Sequence, residues 1–322
     1  MNFIAPEQVA IYFINFIFLF FLLIILKTSF ETIYKFDFDS STSYQYKLEK
    51  RNVLISTIVS FFIIIKVLLI FFFMYFIDSL SSSIPGAMCA VGVLNSTPYG
   101  AYLVVVKILV IFMLGYWYYI NKIDLKNYGF KFTKLKYKFL IFISFFILLE
   151  FLLEINLFNS ITPEKIVSCC GSVFGGEIKR FSTFLFDLKN DTSVSLFLIT
   201  LFLLVLFFLL KRYLIFSIFT IVFLIVSLYS LIDFFGLYIY ELPTHRCPFC
   251  MLQKDYFFIG YILYFFLFFG SFYGSNILFL RNIADFSTKK RWFKLSFIYL
   301  CLYSFIVIGY VVSYYLRRNA WL

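Results

Sequence analysis

Cys247-Pro248-Phe249-Cys250, with the chain's single histidine, His245, just upstream, is the segment best equipped for chemistry. Two cysteines separated by two residues can interconvert between dithiol and disulfide, or hold a soft metal ion through both sulfurs. Proline suits the first turn of a helix, where a missing N–H loses no partner. The spacing therefore predicts Cys247 at a helix start, facing unpaired backbone amides that favour a thiolate. His245 and Arg246 add to that effect where they fold close. The bland reading of the same tetrapeptide is a permanent structural disulfide or two inert thiols.

Three more cysteines lie in polar gaps between apolar runs. Cys89 sits in Pro85-Gly86-Ala87-Met88-Cys89-Ala90-Val91-Gly92, and Cys169 and Cys170 sit in Ser168-Cys169-Cys170-Gly171, with Thr162-Pro163-Glu164 a helix-start signal before them. Neighbouring cysteines bond to each other only with strain, so Cys89 is expected to pair with one of the two, leaving an odd thiol. The odd count opens a second reading, in which His245, Cys247, Cys250, Cys89, Cys169 and Cys170 surround copper(I) or zinc. Met88 and Met251 flank cysteines and offer thioethers to copper, although methionine beside an apolar helix end is more often packing. Cys301 falls inside an apolar run and reads as a small apolar filler.

The elements that must position these groups are membrane spans. The chain has 322 residues, 63% of them apolar and 14% charged, with a mean hydropathy of +0.95. Apolar runs of roughly 20 residues recur, the length a helix needs to cross a hydrocarbon core. The reading is an all-α, polytopic transmembrane bundle of about eight spans, near 9–30, 53–77, 99–120, 139–158, 193–210, 214–238, 255–280 and 295–316. It forms a single integral-membrane domain over 1–322, with cysteine-bearing outer loops at 79–98, 159–192 and 239–254. Abundant Phe and Tyr are no evidence for a cofactor, because an AT-rich coding bias produces them equally well.

Basic residues fix the expected orientation. Lys35, Lys47, Lys50 and Arg51, then Lys122 to Lys138, Lys211 and Arg212, and Arg281 to Lys294 fall in alternate loops, which the positive-inside rule assigns to the cytoplasm. Both termini and the five loop cysteines are then extracytoplasmic, in an oxidising compartment. A net charge of +11 distributed in this way serves insertion and implies lipid, not nucleic acid. The expected location is a bacterial inner membrane. No phosphate-binding Gly-x-x-x-x-Gly-Lys pattern and no Cys-x-x-Cys-His heme-attachment motif occurs.

Cys247-Pro248-Phe249-Cys250-Met251-Leu252-Gln253-Lys254 resembles the Cys-x-x-Cys-Trp-Tyr-Gln-Arg stretch of the DsbB and BdbC membrane thiol oxidases, over about twenty residues from Cys247 to Tyr264. Loop cysteines preceding a Cys-x-x-Cys also resemble the order in vitamin K epoxide reductase and its bacterial relatives. The resemblance implies a quinone-linked thiol-disulfide oxidoreductase. Cys247 and Cys250 would face the quinone, Lys254 would stand at the family's basic position with Gln253 and His245 beside it, and an extracytoplasmic dithiol protein would deliver electrons through Cys89 and Cys169 or Cys170.

Charges also occur inside the spans. With a rise of about 1.5 Å per residue, Lys66, Lys107, Glu150 and Glu154 fall at roughly 17 to 22 Å depth. Opposite charges at one depth invite pairing across helices, because an isolated charge there costs at least about 2.5 kcal/mol. They carry protons, bind a cation, or simply fix helix packing. A third reading, a transporter or assembly subunit with structural disulfides, rests on them. Asp78 and Asp233, nearer span ends, read as solvated interface residues outside any site.

Overall fold

The computed structural model describes residues 5–37, 40, 42–126, 132–161, 190–243 and 245–322. Among them every regular element is helical. The order is α1 (Pro6–Lys35), α2 (Ser43–Ser79), α3 (Ala90–Asn95), α4 (Gly100–Lys126), α5 (Thr133–Ser160), α6 (Asn190–Leu209), α7 (Tyr213–Ser230), α8 (Gly236–Tyr240), α9 (Ile259–Phe279) and α10 (Phe286–Arg318). Eight helices are long and apolar enough to cross a membrane, α7 and α8 counting as one through the π-helical turn Leu231–Phe235. The protein is a polytopic helical membrane protein, as the recurrence of apolar runs predicts.

The helices outrun the apolar stretches at their polar ends. The α2 helix begins at Ser43, ten residues before the expected 53, because the Thr42 hydroxyl accepts the Gln45 N–H at 3.3 Å and caps it. Likewise α10 begins at Phe286 and runs through Lys289, Lys290 and Arg291 before entering its apolar stretch. In contrast, α9 starts only at Ile259.

By backbone packing the chain forms two compact units, Met1–Val167 and Ser168–Leu322. In the first, α5 packs on α1 and α4, and α2 packs on α1 and α4. Its core joins Ile25, Val59, Val110, Leu114, Trp117, Tyr137 and Leu140. The α4–α5 corner is tied by Asp124, whose carboxylate accepts the Phe132 N–H at 2.9 Å and the Thr133 hydroxyl at 2.8 Å. It also pairs with Lys136 at 2.9 Å.

In the second unit α9 lies against α7 and α10. Small residues make that approach possible. A Cβ at Gly270 would stand 2.7 Å from Leu300 Cδ2, and one at Gly274 would stand 2.4 Å from Thr220 Cγ2. The Ser217 hydroxyl donates to the Gly274 carbonyl at 2.6 Å, and that of Ser296 to the Gly270 carbonyl at 2.7 Å. This is the small-xxx-small packing of membrane helices, with hydroxyls satisfying backbone across the interface. Gly270 and Gly274 lie four residues apart in an apolar run, a spacing that acquires this meaning only with the neighbouring helices in place.

Candidate functional site

Cys247 and Cys250 occupy an irregular turn between α8 and α9. Their sulfurs lie within 4.8 Å of each other, and the residues are 2% and 4% exposed. The expected placement at a helix start is corrected here: Cys250–Leu252 and Lys254–Tyr256 are separate 3-10 turns, and the helix begins only after them. The physical reason is the pair Phe257 and Phe258, whose φ angles of 53° and 56° break the chain out of right-handed helix. Cys247 therefore does not sit at a helix N-terminus, and a dipole argument for its thiolate lapses.

Tyrosine hydroxyls hold the turn instead. Tyr240 donates to the Cys247 carbonyl and accepts the Met251 N–H at 3.1 Å, while Tyr264 donates to the Pro248 carbonyl at 2.6 Å. Backbone on both sides of the pair is thereby satisfied although it belongs to no α-helix or sheet. Met251, fully buried, packs on the first turn of α9, where a Cβ at Gly260 would stand 2.6 Å from its Cγ. Only glycine admits this contact.

The flanking polar groups take other positions from those expected. The His245 ring packs edge-on against Tyr240, with centroids 4.4 Å apart. Arg246 points to Asp233, at 3.3 Å. Asp233 is 4% exposed and lies in the π-helical turn, so its reading as a solvated interface residue is corrected. Its second oxygen has no partner among the described residues. Single π-turns recur at functional sites, and no apolar periodicity announces one. Lys254 is exposed in the second 3-10 turn and Gln253 separates the two turns.

Cys89, in the first unit, is fully buried and immediately precedes α3. Asp78 accepts the Ala90 N–H at 3.0 Å, so it caps the cysteine's turn. The sharp corner from α3 into α4 needs Gly100, where a Cβ would stand 2.2 Å from the Leu94 carbonyl oxygen. Cys169, Cys170 and the helix expected at Thr162 lie outside the described residues.

The first unit also contains the expected intramembrane charges, brought together. Lys66 Nζ lies 3.0 and 2.9 Å from the two Glu150 oxygens. Lys107 Nζ lies 2.9 Å from Glu150 Oε1 and 2.5 Å from Glu154 Oε2. Asn15 donates to Glu154 Oε1 at 2.5 Å. Lys66 also stands over the Phe18 ring at 5.1 Å and Lys107 over Phe73 at 4.5 Å. Two cations and two anions balance formally, which is how buried charge is tolerated in a membrane. Compared with protein-family models, curated proteins and solved structures, the chain matches none.

Proposed function

We propose that this protein is a membrane thiol-disulfide oxidoreductase whose redox centre is Cys247 and Cys250. The observation that carries the reading is their geometry: two buried sulfurs within 4.8 Å, on a turn whose backbone is anchored by Tyr240 and Tyr264. Closing that gap to a bond of about 2.05 Å takes side-chain rotation and a slight shift of a non-helical segment.

In the oxidising half-reaction the dithiol loses two electrons and two protons and becomes a disulfide, while a membrane quinone gains both and becomes a quinol. In the other half, a thiolate of an extracytoplasmic dithiol attacks the Cys247–Cys250 disulfide. The mixed disulfide resolves to oxidised partner and reduced pair. The charge pattern of the loops supports an extracytoplasmic side for Cys89 and for Cys169 or Cys170, which are the candidate relay in a bacterial inner membrane.

The test uses the full chain in liposomes, with dithiothreitol as donor and a short-chain ubiquinone as acceptor, corrected for the protein-free rate. Loss of the protein-dependent rate in Cys247→Ser and Cys250→Ser is expected. An unchanged rate in both overturns the proposal. The same sulfur spacing also fits two thiolates on one soft ion at about 2.3 Å each. Stoichiometric zinc or copper in protein purified under reducing conditions, lost in the same variants, decides for that second reading.

A further inference from the structure

The thiol exchange proposed above uses none of Lys66, Lys107, Glu150 and Glu154, and helix packing alone does not require them. The second unit joins α7, α9 and α10 through Gly270, Gly274, Ser217 and Ser296, with no buried Lys or Glu among its described residues. A stretch of chain that keeps four ionisable groups within hydrogen-bond reach at mid-membrane is a functional site by default.

Three small, separate cavities are lined by successive residues of α2, the last of them beside these groups. The first, about 10 Å³, is lined by Glu49, Asn52, Ser56, Thr133 and Lys136 at the basic-loop end. The second, about 20 Å³, is lined by Phe18, Val59, Phe62, Leu114 and Ile147, with Lys66 as its one polar side chain. The third, about 10 Å³, lies between Lys66, Lys107 and Glu150. The first and third, with polar walls, each have room for about one water molecule. Lys66 lines both the second and the third. At the entrance, Asn52 Nδ2 is buried with no partner among the described residues, the kind of group that ordered water satisfies.

We propose that the first unit contains a proton relay, entered from the basic-loop end along α2 and carried by Glu150, Lys107 and Glu154. Lys107 touches both carboxylates. Its ammonium gives a proton to Glu154 and takes one from protonated Glu150, so one proton moves from Glu150 to Glu154 and Lys107 ends as it began. Lys66 from α2 also pairs with Glu150. From α1, Asn15 donates to Glu154, and Tyr12 is the titratable group that feels its charge. At the entrance the titratable groups are Glu49 from α2, Asp124 from α4, and Lys136 and Tyr137 from α5.

Infrared difference spectroscopy on the full chain in nanodiscs, stepped in pH and repeated in D2O, tests the relay without reference to any thiol. The expected result is a buried carboxylic-acid band that appears on acidification and shifts in D2O. Glu150→Gln and Glu154→Gln should each remove one component. Val59→Ile, which fills the second cavity by one methylene, should slow the D2O shift several-fold while the thermal midpoint is kept. Cys301→Ser, outside both the charge network and the cysteine turn, should leave the carboxylic-acid bands unchanged. A network that serves packing alone shows no such band down to the pH of unfolding, or exchanges equally fast in Val59→Ile. Either result overturns the proposal.

Discussion

Lys107 Nζ stands 2.9 Å from Glu150 Oε1 with each side chain 4% exposed, and the same carboxylate is also claimed by Lys66. The two lysines share one acid, so the cost of removing that acid is not that of breaking one pair. Glu150→Gln leaves two ammonium groups facing Glu154 alone, and a destabilisation of about 3–5 kcal/mol is expected. Lys66→Met combined with Glu150→Gln restores neutrality by leaving only the Lys107–Glu154 pair, so the double variant should be more stable than the single Glu150→Gln. Denaturation midpoints in detergent micelles read the difference. Additive losses would show that the two groups do not act as one network.

Gly260 governs how closely the cysteine turn sits on α9. A Cβ there would stand 2.6 Å from Met251 Cγ and 3.0 Å from the Met251 carbonyl carbon, so a side-chain rotation does not relieve the overlap. Gly260→Ala should cost about 1–3 kcal/mol and should push Cys250, now 4% exposed, toward solvent. Alkylation by a small thiol reagent under native conditions should accelerate at Cys250 while Cys301, in α10, reacts at its original rate.

The number of spans was legible because hydrophobic length is a property of each segment by itself, and pairing of Lys66 and Lys107 with Glu150 and Glu154 was legible because depth along a helix follows from residue count. The start of α9 was not. It depends on Phe257 and Phe258 adopting left-handed backbone, which their side chains do not favour and no local pattern marks. Asp233 departs from its sequence reading for a related reason: its distance from the span end indicates water, but it is buried in the π-helical turn and pairs with Arg246. Gly270 and Gly274 were visible as a four-residue spacing, yet in an apolar run a glycine carries meaning only once the neighbouring helix is known.

That helix is α7, and the contact is tight enough to measure. At Gly274 a Cβ would meet Thr220 Cγ2 at 2.4 Å and Oγ1 at 2.7 Å. Gly274→Ala should destabilise the second unit by about 1–3 kcal/mol. Thr220→Ser removes the closer of the two Thr220 atoms, and in combination with Gly274→Ala it should recover part of the loss. Thermal midpoints of the four members of this cycle give the coupling directly; no recovery in the double variant would mean that α7 and α9 separate by another route.

Tyr240 connects stability of the turn to reactivity of its cysteines. Its hydroxyl serves both the Cys247 carbonyl and the Met251 N–H, and the residue is 5% exposed. Tyr240→Phe keeps the ring that packs on His245 and Tyr256 but removes both bonds, leaving a donor and an acceptor buried and unmet. The penalty for each such group is about 1–3 kcal/mol, and the turn can escape it only by opening to water. The variant should therefore lose stability and, at the same time, expose both cysteines to alkylation, whereas Tyr264→Phe, which frees only the Pro248 carbonyl, should do so to a smaller extent. Equal labelling rates in wild type and Tyr240→Phe would mean that the pair is held by its side-chain surroundings and not by the backbone of its turn.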